Sequence, residues 1–128
     1  MKNFSEALAI KPNLKLTINL VLTPVGENIP CWVSVNNETV FDQNISSVQT
    51  ITGDIDLLDP IDIRIKIQRE HPQAIQLMLV VDGWEVLPKY QHHATPPTDY
   101  IDTNEEWLLS IPKFHAWYHK ITGQGDIF

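Results

Sequence analysis

The residues best suited to chemistry gather near the C-terminal end, in the stretch PKFHAWYHKITGQG at positions 112 to 125. His115 and His119 stand four apart, a spacing that puts two imidazoles on one face of a helical turn, as paired metal ligands on a helix require. The zincin pattern needs a Glu directly after the first His to act as base, and Ala116 stands there instead. His92 and His93 lie in a separate stretch, and nothing in the spacing brings them to the first pair. The structural reading is that Ile111, Phe114 and Trp117, three apart, share one side of a short turn and cap the open end of a core, with the histidines off that side. That reading is preferred.

Aromatic side chains offer a second chemistry. Trp84, Tyr90, Tyr100, Trp107, Trp117, Tyr118 and Phe128 fall in the last third of the chain. Rings displayed on the edge of a β-sandwich can stack on sugars, because a π-face meets the apolar C–H face of a pyranose. Trp84, Tyr90, Tyr100, Trp117 and Tyr118 are therefore the candidate binding residues. The competing reading is that large rings pin a long loop and fill the core.

A third possibility is hard-cation binding by the run GDIDLLDPID, which brings Asp54, Asp56, Asp59 and Asp62 close in sequence. The run lacks the ligand order, central Gly and closing Glu of an EF-hand, so a solvated turn is the default. No metal and no other cofactor is expected, with His115, His119, Asp54 and Asp56 as the residues to test. TGQG has neither GK[ST] nor GxGxxG, there is no GxSxG, and Cys31 falls at an inward strand position. No catalytic constellation emerges, and the chain is read as a non-enzyme.

The elements that would position these residues are strands. LKLTINLVL (14–22) alternates with Leu14, Leu16, Ile18, Leu20 and Leu22 on one face. TPVGENIP (23–30) reads as a breaker cluster, and CWVSV alternates again with Cys31, Val33 and Val35 inward. Asn36-Asn37 predicts a hairpin turn, since Asn tolerates positive φ, with ETVFDQ returning. ISSVQTITGDIDL predicts a short or edge strand ending near Gly53. IDIRIKIQ (61–68) carries four isoleucines on alternate positions. AIQLMLVVD puts Ile75, Leu77, Leu79 and Val81 on one side and Met78 and Val80 on the other, predicting a central strand covered on both faces. Asp82-Gly83 is a two-residue turn leading into WEVL. Residues 89–106, with two adjacent prolines, read as a long loop before a last strand, WLLSI (107–111). About seven short strands predict an all-β, single-domain antiparallel sandwich of jelly-roll or immunoglobulin-like type over residues 14–128. Residues 1–13, with one possible helical turn at SEALA, read as a docking segment.

Composition narrows the function classes. The 128 residues suit one domain with its own core, and 43% hydrophobic with 20% charged residues is ordinary for a globular chain. A net charge of -7 with only nine scattered Lys and Arg argues against nucleic-acid binding. A single cysteine excludes an intrachain disulfide. The opening MKNFSEALAIKPNLK has no basic region followed by a long apolar one, and no run nears the roughly 18 apolar residues of a membrane span. Synthesis in a cytosol without membrane insertion is expected.

LMLVVDGWEV, the proline-rich loop and the ending WLLSIPKFHAW…TGQG resemble small β-sandwich proteins of tailed bacteriophages, over roughly residues 60 to 125. Their fold is similar to that of carbohydrate-binding modules. The resemblance implies a virion component made in the host cytoplasm, such as a capsid decoration, tail or fibre-attachment subunit. Its partners would be other virion proteins or copies of itself. The alternative it implies is a module that recognises host glycans through exposed aromatics.

Overall fold

The computed structural model describes residues 15–56, 59–87, 94–95 and 98–111. Ten strands are present among them: β1 Lys15–Val25, β2 Ile29–Val35, β3 Glu38–Ile45, β4 Gln49–Asp56, β5 Ile61–Ile67, β6 Ala74–Val81, β7 Trp84–Leu87, β8 Ala94–Thr95, β9 Tyr100–Ile101 and β10 Trp107–Ile111. They form two five-stranded antiparallel sheets. Sheet I runs β4-β1-β6-β7, with β9 also paired to β6, and sheet II runs β3-β2-β5-β10-β8. The all-β sandwich expected from the alternation is the fold. The strand number exceeds the expected seven or so, and two of the additional strands, β8 and β9, are two-residue pairings inside the predicted loop, too short to show a period.

Alternation explains how the sheets stack. Leu16, Ile18, Leu20 and Leu22 of β1 and Ile75, Leu77, Leu79 and Val81 of β6 are buried on the inner face of sheet I. Ile61, Ile63, Ile65 and Ile67 of β5, with Trp107, Leu109 and Ile111 of β10, are buried opposite them on sheet II. Each such side chain contributes about 1.5–3 kcal/mol on leaving water, so the interleaved rows hold the sheets together. Asn36 and Asn37 have φ of 49° and 68°, and Asp82 and Gly83 of 53° and 82°, so both predicted tight turns form with the left-handed backbone that their residue types tolerate.

Several expectations are corrected. β1 does not stop at Leu22 but continues through Thr23, Pro24 and Val25. β4 pairs β1 only as far as Leu22, while β6 pairs it to Val25, so Pro24 sits where one side of the strand is an open edge and its missing N–H is harmless. β4 is the expected edge strand but runs past Gly53 to Asp56. β6 is central in sheet I, yet it is not covered on both faces: Met78 is 41% exposed and Gln76 also faces solvent. The predicted helical turn at SEALA and the docking segment 1–13 lie outside the described residues.

Candidate functional site

The outer face of sheet II carries an aromatic side chain on an inner strand, one in from the β3 edge. β2 alternates Cys31 and Val33 inward, which turns Trp32 outward on a strand flanked by β3 and β5. The register sets Asp42 of β3 directly beside Trp32 on one side and Lys66 of β5 on the other. Trp32 is half-buried, and its Nε1–H donates to Thr39 Oγ1 at 3.1 Å, which fixes the plane of the indole. Asp42 and Lys66 are both exposed, and among the described residues neither has an ion-pair partner. The result is a ring bracketed by a carboxylate acceptor and an ammonium donor.

An open depression of about 480 Å³ covers this row, lined by Pro30, Trp32, Asp42, Lys66, Gln68 and Asn104 among others. Local hydrogen bonds build its far wall. Gln68 N–H donates to the Pro30 carbonyl at 3.0 Å, tying the end of β5 to the start of β2. Arg69 N–H donates to Asn104 Oδ1 at 2.8 Å and draws the β9–β10 connection against the same edge. Beyond Lys66 on the face, Arg64 is held by Glu106 at 3.3 Å and Asp62 at 3.7 Å, so its charge is spent within the protein. Exposed ion pairs of this kind add little stability, and here they leave Lys66 as the available cation of the row.

The residues singled out from sequence are dispersed. Tyr100 is 36% exposed on β9, at the edge of sheet I, beside a hollow shared with Thr98, Thr103 and Glu105. Trp84 opens β7. Tyr90, Trp117, Tyr118, His115 and His119 lie outside the described residues, as does the proposed cap. Trp107 is buried, and its Nε1–H donates to the Thr98 carbonyl at 2.9 Å, so this ring pins the loop from within the core. Trp32 was not among the sequence candidates, although the alternation that turned Cys31 and Val33 inward also turned Trp32 outward.

The aspartates do not converge on a cation site. Asp56 is ion-paired with Lys15, whose pKa is raised by that hydrogen bond and charge. Asp54 accepts from Thr17 Oγ1 at 3.1 Å, and Asp62 is on the other sheet beside Arg64. Among the described residues no group of three or more His, Cys, Asp or Glu side chains is arranged to hold a metal ion. Cys31 is buried, and burial pushes its thiol up to about 12, which leaves it protonated and a poor nucleophile at neutral pH.

No family model and no curated protein matches this chain. Among solved structures it is similar to vCBM60, described in connection with an evolutionary link by circular permutation between two families of calcium-dependent carbohydrate-binding modules. The match has a TM-score of 0.55 at 15% sequence identity and covers 77% of this chain and 91% of the other. At that identity the likeness is one of fold. It agrees with the carbohydrate-binding-module-like sandwich expected from sequence and does not bear on the phage-particle setting.

Proposed function

We propose that this chain is a glycan-binding module that seats a sugar on the outer face of sheet II, with Trp32 as the stacking platform. The observation that carries the reading is the row Asp42–Trp32–Lys66, with the indole fixed by Thr39. A pyranose stacks its C–H face on a ring whose π-cloud is electron-rich, while equatorial hydroxyls radiate from its rim. Asp42 accepts hydrogen bonds from such hydroxyls, Lys66 donates to them, and Gln68 and Asn104 supply amide groups at the far wall. Stacking gives affinity and the rim gives orientation, the usual division in small-ligand sites. The sandwich fold shared with vCBM60 supports the reading.

Calcium dependence does not transfer with the fold. The described face presents Asp42 as its one unpaired carboxylate near Trp32, whereas calcium takes six to eight oxygen ligands. Binding is therefore derived from the ring and its polar rim alone. A phage particle would be one setting for such a module, which mass spectrometry of purified virions tests separately.

Affinity electrophoresis in gels containing neutral plant, microbial and host polysaccharides tests the reading. The chain is expected to be retarded by at least one of them. Trp32→Ala is expected to remove the retardation, and Asp42→Asn or Lys66→Gln to weaken it severalfold. Retardation unchanged in Trp32→Ala, or none in any gel, would sink the proposal.

A further inference from the structure

A second concave feature lies away from Trp32, where the edge of sheet I meets the β2–β3 end of sheet II. It is a groove of about 320 Å³ with an apolar floor. Two local features open it. Gly53 occupies an inward-facing position of β4, paired with Ile18 and set between Ile51 and Ile55, yet a Cβ there would meet no atom within 4 Å. Across the groove, β3 carries a bulge opposite Val33 and Ser34 that leaves Val40 out of register and 41% exposed. The core thus lacks a side chain at the one place where an aliphatic residue of the facing strand is turned out.

We propose that this groove docks an extended segment of a partner protein that carries an aliphatic side chain flanked by lysine or arginine. The side of β4 away from β1 pairs with no strand among the described residues, so its backbone is available to a strand added at that edge. The aliphatic side chain fills the space over Gly53, against Ile18, Val40 and Ile51. Charge selects the rest of the occupant. Glu38, Asp54, Asp56 and Asp59 line the groove against Lys15, four carboxylates to one ammonium, for a formal charge of -3. A basic segment is drawn to that rim, whereas a second copy of this chain, with a net charge of -7, is repelled.

The test is an NMR titration of the full chain with a capped heptapeptide of alternating lysine and valine, and with its glutamate-for-lysine counterpart. The lysine peptide is expected to shift amides of residues 49–56 and 38–40 and to slow hydrogen exchange along β4. The glutamate peptide is expected to do neither. Gly53→Val is expected to weaken binding at least tenfold while the melting temperature holds or rises, since a β-branched residue suits an extended strand position with open space above it. If Gly53→Val does not fold, the exposed pair Glu38→Lys with Asp59→Lys is expected to weaken binding severalfold and to flatten its salt dependence. The proposal is overturned if the lysine peptide leaves these amides unmoved, if the glutamate peptide binds equally, or if both variants bind as the parent does. A neutral oligosaccharide that moves the same amides in the peptide's place would likewise overturn it.

Discussion

The two outer faces of the sandwich are built by the same alternation and end up chemically unlike. On sheet I the outward positions of β1, β4 and β6 bond within the fold: Lys15 pairs with Asp56, Thr17 Oγ1–H donates to Asp54 Oδ1 at 3.1 Å, Thr52 Oγ1–H donates to Asn19 Oδ1 at 2.9 Å and Gln76 Nε2–H donates to Asp99 Oδ2 at 2.7 Å, with Val21, Met78 and Val80 between them. Most polar side chains of this face thus have a partner among the described residues, which leaves few free hydrogen-bonding groups. On sheet II the corresponding positions carry Trp32 between Asp42 and Lys66, neither of which has an ion-pair partner among the described residues. Period two requires only that the outer face tolerate water, and both faces meet that requirement. What singles out sheet II is that a ring of high apolar area stands on an inner strand beside charged groups that find no ion-pair partner among the described residues.

The sharpest contrast uses the same residue type on the two sides of sheet II. Trp107→Ala removes a buried ring and the hydrogen bond to Thr98 together, and is expected to cost about 3–5 kcal/mol of folding stability, measured by urea denaturation. Trp32→Ala is expected to cost far less stability but about 2 kcal/mol of glycan affinity, roughly thirtyfold in Kd by titration calorimetry. Met78→Ala, which removes an exposed side chain from the outer face of sheet I, is expected to leave affinity unchanged and stability within about 0.5 kcal/mol. An equal loss of affinity in the Met78 and Trp32 variants would erase the distinction between the faces.

A smaller effect checks the inner face of β2. Burial raises the Cys31 thiol from near 9.0 to about 12, so the folded state holds its proton where the unfolded chain releases it. This group leaves stability unaffected below pH 9, and stability falls as pH rises from there toward 12, by at most about 1.4 kcal/mol per pH unit. Denaturation at pH 8 and pH 10 should show the loss in the parent and a smaller one in Cys31→Ala. The folded thiol should also resist iodoacetamide at pH 8. Rapid alkylation under native conditions would contradict its burial.

The fold was legible wherever a face had to be dry. Isoleucines at 61, 63, 65 and 67 and the alternation of β1, β6 and β10 marked strands directly, and Asn36-Asn37 and Asp82-Gly83 marked the turns. Pro24 concealed the last residues of β1, because the harmlessness of a missing N–H depends on which neighbour strand ends first. Met78 and Val80 suggested a second cover over β6, because an apolar side chain on an outer face carries no local mark of whether anything packs on it. The site was less legible for a different reason. A binding face is assembled across strands, and Asp42, Trp32 and Lys66 become neighbours only through register. The cluster of rings near the C-terminal end was conspicuous in sequence, whereas a solitary Trp32 among Cys31, Val33 and Ser34 formed no motif.

The central claim is that Trp32, among the four tryptophans, is the one that meets the sugar. Labelling the full chain with 5-fluorotryptophan and recording the 19F spectrum during titration with oligosaccharides from a polysaccharide that retards it tests this directly. Single Trp→Phe variants assign the lines. The resonance that vanishes in Trp32→Phe should move on binding, while the Trp107 line, buried in the core, should stay still. A stationary Trp32 resonance with movement at Trp84 or Trp117 would contradict the assignment of the site to the outer face of sheet II.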